Sequence, residues 1–157
     1  MFIKFKAKLK NANEIIALGL LVFITIIFTS TNFDHENAII LKEISNFVKK
    51  NENAFFYSSL GHLKYISLMK ITDVVVGNSS SGVLETPSLK VPTVNIGNRQ
   101  NGRIISKNII NSNYEVKQIA NSIKKALEMN KTKLKNIKDP FFKKNTPKNI
   151  SKKIVSF

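Results

Sequence analysis

The sequence predicts a doubly wound α/β domain built on a mainly parallel sheet. Apolar segments of strand and helix character alternate along the chain and are joined by short polar loops. The run Asp73–Val76 is β-branched without polar alternation, which is typical of a parallel strand buried on both faces. The segment Asn37–Lys50 instead places apolar residues at helical spacing. With 157 residues, 43% of them apolar, the chain is long enough for one domain with a hydrophobic core.

The first predicted elements lie in an apolar run that follows a basic stretch, Met1–Lys10. Residues Ile15–Leu20 suit a helix, and Leu21–Phe28 suits a buried parallel strand. A basic stretch, an apolar run and small polar residues are also the outline of a signal peptide or a short membrane anchor. The apolar run has only 14 residues, whereas roughly 20 are needed to span a bilayer. We therefore expect helix and strand here, with a tether over Met1–Phe28 as the alternative.

The remaining elements continue the alternation of helix and strand. We predict helix Asn37–Lys50, strand Ala54–Tyr57, helix Leu63–Ile71, strand Asp73–Val76, helix Gly82–Leu89, strand Pro92–Ile96, helix Glu115–Met129 and a last helix at Asn149–Val155. In sheets of this kind, ligands bind at the carboxyl ends of the strands. The loops after Val76 and Ile96 are therefore the expected ligand-binding loops.

Composition narrows the classes of function. The chain has no cysteine and only two histidines, without ligand-like spacing, so we predict no metal site and no disulfide. The net charge of +15 would suit a nucleic-acid partner, but the lysines are spread over helix faces and chain ends. We therefore expect no nucleic-acid binding.

The first loop, Asn78–Gly82, lies between a buried strand and a helix. Its small residues expose backbone N–H groups, its serines add hydroxyl donors, and Gly82 lets an anion approach the backbone. These features predict a phosphate-binding loop that includes Ser79, Ser80, Ser81 and Gly82. Glu85 follows and could accept hydrogen bonds from ribose hydroxyls. Alternatively, the serines only cap the helix and Glu85 only favours its positive end.

The second loop, Gly97–Arg103, carries two arginines between glycines. Lying next to the first loop in a parallel sheet, Arg99 and Arg103 could clamp a diphosphate. The alternative is an ordinary exposed turn.

The two loops and their flanking segments resemble the UDP-N-acetylglucosamine 2-epimerase family, in its hydrolysing branch. The residues that carry the resemblance are Tyr65–Met69, Asp73–Gly82, Glu85–Leu89 and Val91–Arg103, with Asp139–Phe141 similar to the family's closing segment. The first 28 residues match poorly. The resemblance implies the C-terminal half of a two-domain GT-B architecture, in which each half is Rossmann-like. The chain then divides into an N-terminal helix and strand (1–28), a UDP-binding domain (29–138) and a closing helical segment (139–157).

The resemblance also implies roles for individual residues. Ser79 and Ser80 would contact the diphosphate of UDP or UDP-N-acetylglucosamine, Glu85 would hold the ribose, and Arg99 would assist at the nucleotide. Asn32, on the loop after the first matching strand, would be a further contact, although Thr31 stands where the family has proline. Residues Leu60–Tyr65 would lie near the uracil, and His62 has no assigned role. No cofactor is implied.

The implied reaction eliminates UDP from C1 of the amino sugar and then adds water, as part of a cytoplasmic pathway to sialic-acid-like sugars. Its acid and base groups would be carboxylates and a histidine of the N-terminal half, so we predict no catalytic residue in this chain and no activity of the chain alone. The chain would then work with that half on another chain, or persist as a UDP-binding remnant. Whether the chain forms a homodimer is left open by the sequence.

Overall fold

The structure is a computed structural model that describes residues 1–6, 23–30, 37–129 and 131–156. Its strands form one sheet of six, in the order β3-β2-β1-β4-β5-β6. The strands are β1 (Phe2–Lys6), β2 (Phe23–Thr29), β3 (Ala54–Tyr57), β4 (Val74–Gly77), β5 (Thr93–Ile96) and β6 (Ile109–Ser112). β1 runs antiparallel to both of its neighbours, and the other strands all run in one direction. The predicted doubly wound, mainly parallel α/β fold is confirmed.

Helices follow most of the strands. They are α1 (Asn37–Lys50), α2 (Gly61–Ile71), α3 (Ser81–Leu84), α4 (Thr86–Leu89), α5 (Val116–Leu127), α6 (Lys131–Lys135) and α7 (Thr146–Val155). Helix α1 packs against β3, and the ring of Phe47 in α1 also meets the ring of Phe28 in β2 edge-on at 5.7 Å between centroids.

β4 is the centre of the core, because its alternate side chains enter two different apolar clusters. Val74 and Val76 pack on one face of the sheet with Val94 and with Ala126 of α5. Val75 packs on the other face with Met69 of α2 and with Val91. A strand covered on both faces needs apolar residues at successive positions, which is why this segment shows no polar alternation.

Most predicted elements are confirmed to within three residues at each end, and α1 and β3 have the predicted bounds. The predicted helix Gly82–Leu89 is wrong as one element, because it is divided at Glu85 into α3 and α4. Pro87 lies in the first turn of α4, where the missing N–H of proline is tolerated. Helix α7 likewise begins earlier than predicted, with Pro147 in its first turn.

The N-terminal prediction holds in part. The strand predicted over Leu21–Phe28 is β2, which is displaced by one or two residues. The basic stretch at the start, for which no strand was predicted, contains β1, and the helix predicted over Ile15–Leu20 lies outside the described residues. Within the ranges that the structure describes, no helix is long and apolar enough to cross a membrane.

The closing segment is attached to the end of α4. Ser88 donates a hydrogen bond to the carboxylate of Asp139, and the ammonium group of Lys90 donates to the carbonyl of Ile137. Lys90 itself adopts a left-handed conformation with φ of 60°, which ends α4 and turns the chain toward β5. The division of the chain at residues 138 and 139 stays a prediction.

Candidate functional site

A cleft of about 700 Å³ opens at the edge of the sheet where β2, β4 and β5 have their carboxyl ends. This is the edge at which doubly wound sheets bind ligands. The wall comprises Met1, Thr29, Ser30, Ile40, Ser59, Leu60, Gly61, His62, Tyr65, Val75, Val76, Gly77, Asn78, Ser79, Ser81, Gly82, Thr93, Asn95 and Arg99. Among these described residues Arg99 is the one arginine or lysine and no carboxylate is present. The charge of the described wall therefore favours an anion.

The loop after β4 supplies backbone donors to this cleft. Gly77 turns the chain with φ of +153°, a value that favours glycine, and α3 begins at Ser81. The N–H groups of Ser79 and Ser80 have no acceptor within the described part of the chain, and the side chain of Ser80 makes no capping hydrogen bond. The capping alternative for Ser80 is thus not what the structure shows. Because α3 has only four residues, free N–H groups and hydroxyls, rather than a long helix dipole, are what this loop offers an anion.

The serine hydroxyls form a short chain with a tyrosine. The Oγ of Ser79 lies 3.1 Å from that of Ser81, which in turn lies 2.6 Å from the phenol oxygen of Tyr65. Desolvation raises the pKa of Tyr65, the hydrogen bond with Ser81 opposes this shift, and the nearby charge of Glu85 adds to it. Tyr65 therefore stays a neutral hydroxyl at physiological pH and can orient Ser81.

A buried polar network supports the loop from beneath. The hydroxyl of Thr86 donates to the carbonyl of Gly82 at 2.7 Å and accepts from the hydroxyl of Thr93 at 2.8 Å and the amide of Asn108 at 3.0 Å. Thr86 and Asn108 have no exposed surface. Gly82 is also constrained by space, because a Cβ there would lie 3.3 Å from the methyl group of Thr93. The network fixes the turn that presents the serines.

The loop after β5 contributes Arg99 and is fixed at both of its ends. Gly97 has φ of +76°, and the end of the exposed Tyr114 side chain occupies the place that a Cβ would take. At the other end, Gln100 is 4% exposed and donates from Nε2 to the carbonyl oxygen of Asn78 at 2.7 Å. Arg99 is exposed and lies on the cleft wall between these two anchors.

Glu85 lies at the junction of α3 and α4. Its Oε2 is buried and has no hydrogen-bond partner among the described residues. A buried carboxylate oxygen without a donor is costly in free energy.

The structure brings together most of the residues predicted for the site. Ser79, Ser81, Gly82 and Arg99 line the cleft. Ser80 and Glu85 belong to the same turn and its helix but are not part of the wall, and Asn32 lies outside the described residues.

Three wall or support residues were missed or set aside in the sequence. His62, to which no role was assigned, lines the cleft at the start of α2. Asn95 lines it from β5, where its amide donates to Asn111 at 2.9 Å and its own Oδ1 has no partner in the described part of the chain. A polar residue inside an otherwise apolar strand was the available signal for Asn95. Gln100 gave no signal, since its contact with Asn78 spans 22 residues.

The fold and the cleft together define a Rossmann-like α/β domain with a polar cleft at the carboxyl edge of its parallel strands. A family profile described as UDP-N-acetylglucosamine 2-epimerase matches residues 6–155. The chain belongs to the UDP-N-acetylglucosamine 2-epimerase family, as the sequence motifs predicted.

Individual relatives agree with this membership. A Campylobacter jejuni protein, GDP/UDP-N,N'-diacetylbacillosamine 2-epimerase (hydrolyzing), is 48% identical over 90 residues, which is 56% of this chain and 23% of that protein. The Escherichia coli polysialic acid biosynthesis protein P7 is 33% identical over 132 residues, 83% of this chain and 34% of that protein. The chain thus spans about a quarter to a third of the length of these relatives.

A solved structure shows the same fold. The Methanocaldococcus jannaschii UDP-GlcNAc 2-epimerase, crystallised with UDP-GlcNAc and UDP, superposes with a TM-score of 0.64 at 18% identity. The match covers 85% of this chain and 36% of that structure. At this identity the likeness establishes the fold.

Proposed function

We propose that this chain is the C-terminal, UDP-binding part of a hydrolysing UDP-N-acetylglucosamine 2-epimerase. One observation carries the proposal: Ser79, whose N–H has no acceptor among the described residues, lines the same cleft as Arg99, and Ser80, whose N–H is likewise without an acceptor there, is the next residue of the loop. Backbone donors and a planar cation on adjacent loops form the arrangement that a diphosphate requires. In this assignment Ser79, Ser80, Ser81 and Gly82 receive the diphosphate, and Arg99 neutralises it.

We assign the rest of the nucleotide to residues in and beside the same cleft. Glu85 accepts hydrogen bonds from the ribose hydroxyls, which supply the donors that its buried Oε2 lacks. Leu60 and Gly61, at the start of α2, offer an apolar surface and accessible backbone to the uracil. Asn32 remains a predicted contact on the loop after β2, whose carboxyl end also reaches the cleft through Thr29 and Ser30.

The proposed substrate is a UDP-linked N-acetylated amino sugar. The names of the relatives include hydrolysing 2-epimerases and a polysialic acid biosynthesis protein, which supports an N-acetylmannosamine-type product for sialic-acid-like or surface-polysaccharide synthesis. In the reaction, UDP leaves C1 as the C2 proton is removed, and water then adds to the glycal-type intermediate with inversion at C2. We assign to this chain the binding of UDP, which is the leaving group, in a cytoplasmic enzyme that uses no cofactor.

A second candidate is UDP binding without turnover by the chain alone. The observation that favours it is the absence of any carboxylate among the described residues of the cleft wall. Proton removal and return at the sugar need groups within hydrogen-bond reach. In this second candidate the chain is a remnant that holds UDP or the UDP-sugar, whereas in the first the acid and base come from an N-terminal half. That half could lie on another chain, and a homodimer is compatible with either candidate.

Calorimetric titration with UDP and with uridine tests the binding assignment without requiring catalysis. We expect UDP to bind more tightly than uridine, because the diphosphate uses the serine loop and Arg99. Ser80→Leu should abolish UDP binding by filling the turn, whereas Ser45→Leu, on an exposed position of α1, should leave it unchanged. Equal affinities for UDP and uridine would contradict the proposed function.

A further inference from the structure

Gln100 joins the two loops of the cleft through a single buried hydrogen bond. Its Nε2 donates to the carbonyl oxygen of Asn78 at 2.7 Å, although the two residues are 22 positions apart. Asn78 directly precedes Ser79, and Gln100 directly follows Arg99. The contact therefore links Asn78, directly before the Ser79 N–H group, to Gln100, directly after the cationic Arg99.

The hydrogen bond also sets the direction of the Ser79 N–H. In a trans peptide the carbonyl and the following N–H lie in one plane and point to opposite sides. Since Gln100 holds the carbonyl oxygen of Asn78, the N–H of Ser79 must point away from Gln100. The same bond limits how far the Arg99 backbone can move from the serine loop.

Packing alone does not account for an amide at this place. Gln100 is 4% exposed, and its Oε1 is buried without a protein partner in the ranges that the structure describes. Desolvating an amide in this way costs free energy that an apolar side chain of similar length would not cost. The turn itself is closed by backbone bonds, from Asn101 to Asn98 and from Arg103 to Gln100, which do not use the Gln100 side chain.

We propose that Gln100 is a positioning residue for diphosphate recognition. It touches no ligand and directs the Ser79 N–H and the Arg99 guanidinium toward one anion. This inference rests on the proposed function, because it takes UDP as the ligand of the cleft. Its specific content is that the donor N–H of the Gln100 amide, rather than the volume of the side chain, sets UDP affinity.

The test compares Gln100→Met and Gln100→Glu with the wild-type chain and with Gln118→Met, which changes an exposed glutamine on α5. Gln100→Met keeps the length and removes the donor, so UDP affinity should fall about tenfold, the size expected for one hydrogen bond. Uridine affinity and the control variant should be unchanged. In an Arg99→Ala background, Gln100→Met should weaken UDP binding less than it does in the wild-type chain. The positioning of Arg99, one of the two effects of Gln100, is already lost in that background.

Gln100→Glu adds a readout that a packing role would not move. The ionised carboxylate opposes the Asn78 carbonyl, whereas the protonated acid donates to it, and burial raises a glutamate pKa above its usual value of about 4.3. UDP affinity relative to wild type at the same pH should therefore recover as pH falls from about 8 to about 5. Gln100→Met should show no such recovery.

Amide hydrogen exchange over residues 78–82 is measured on the same variants without ligand. Faster exchange in Gln100→Met, with a wild-type melting temperature, supports the inference. Wild-type exchange in Gln100→Met overturns it whether or not UDP binds. If the wild-type chain binds UDP and both Gln100 variants bind it equally well at every pH, the inference fails and the proposed function stands.

Discussion

The phenol oxygen of Tyr65 and the hydroxyl oxygen of Ser81 lie 2.6 Å apart and connect α2 to the first residue of α3. Both residues line the cleft. Their contact therefore joins the side of the cleft expected to hold the uracil to the side expected to hold the diphosphate. Tyr65 is half-buried beside the carboxylate of Glu85, which explains why its hydroxyl resists ionisation.

Tyr65 should ionise above its ordinary pKa of 10.0. A folded-state pKa raised above the unfolded value contributes stability below pH 10, and that stability is lost as pH rises through the folded pKa. In a difference titration of tyrosinate absorbance, Tyr65→Phe should remove a step that lies above pH 10.0. The wild-type free energy of unfolding should also decline more steeply than that of Tyr65→Phe in this range. A lost step below pH 10.0 would contradict the assignment.

Glu85→Ala should weaken UDP binding by about 1–3 kcal/mol, the scale of charged hydrogen bonds to two hydroxyls. The loss should be much smaller for 2',3'-dideoxy-UDP, which lacks those hydroxyls. Calorimetry with both ligands measures the difference, and Glu115→Ala, at the exposed start of α5, serves as the control. An equal loss for the two ligands would show that Glu85 acts only through the helix ends.

Thr86→Val should destabilise the domain by about 2–3 kcal/mol, because Gly82 loses a donor and Thr93 loses its acceptor inside the core. Thr93→Val removes only one of these hydrogen bonds and should cost less. Denaturant unfolding of the two variants gives the comparison. The prediction is wrong if Thr86→Val is as stable as wild type, since the network would then carry no net free energy.

Gly97→Ala should be more damaging than a left-handed backbone alone explains. A non-glycine residue at φ of +76° costs about 1–2 kcal/mol, and the new methyl group would also overlap the phenol of Tyr114. In the double variant Gly97→Ala with Tyr114→Ala, the cost of the overlap with the ring should be recovered, and the cost of the left-handed backbone should remain. Unfolding free energies of both single variants and the double variant test this. Strict additivity would mean that the ring moves aside without cost.

The purified chain should release no UDP from UDP-N-acetylglucosamine. Binding energy on the leaving group accelerates nothing unless other groups act on the sugar in the transition state. Coupled detection of free UDP measures turnover, with Ser80→Leu as the control for contaminating activity. Steady release that is lost in Ser80→Leu would mean that Asp34, Glu36 or another carboxylate of this chain moves the protons.

The sequence was sufficient for the elements whose determinants are local. The apolar run of β4 and the helical spacing of α1 follow from neighbouring residues, and a polar loop after a buried strand marked Ser79–Gly82 as the candidate ligand-binding loop. β1 was missed because Ile3, Lys4 and Phe5 alternate over few residues, and their pairing with β2 and β4 is decided far along the chain. Tyr65 and Gln100 were missed as supports for the same reason, since their partners are brought close only by the fold.

The reversed strand at the middle of the sheet has a consequence for the order of folding. β2 with β3, and β4 with β5 and β6, are each assembled from segments close in sequence, but within the described sheet β1 lies between the two groups and joins them. Phe2 pairs with Ile27 on one side and with Val75 on the other, so β1 is completed only when it meets a segment far along the chain. Closing that long loop is the entropically slow event. The chain should therefore pass through a species with two separate half-sheets, and the cleft, which draws on both, should be acquired last.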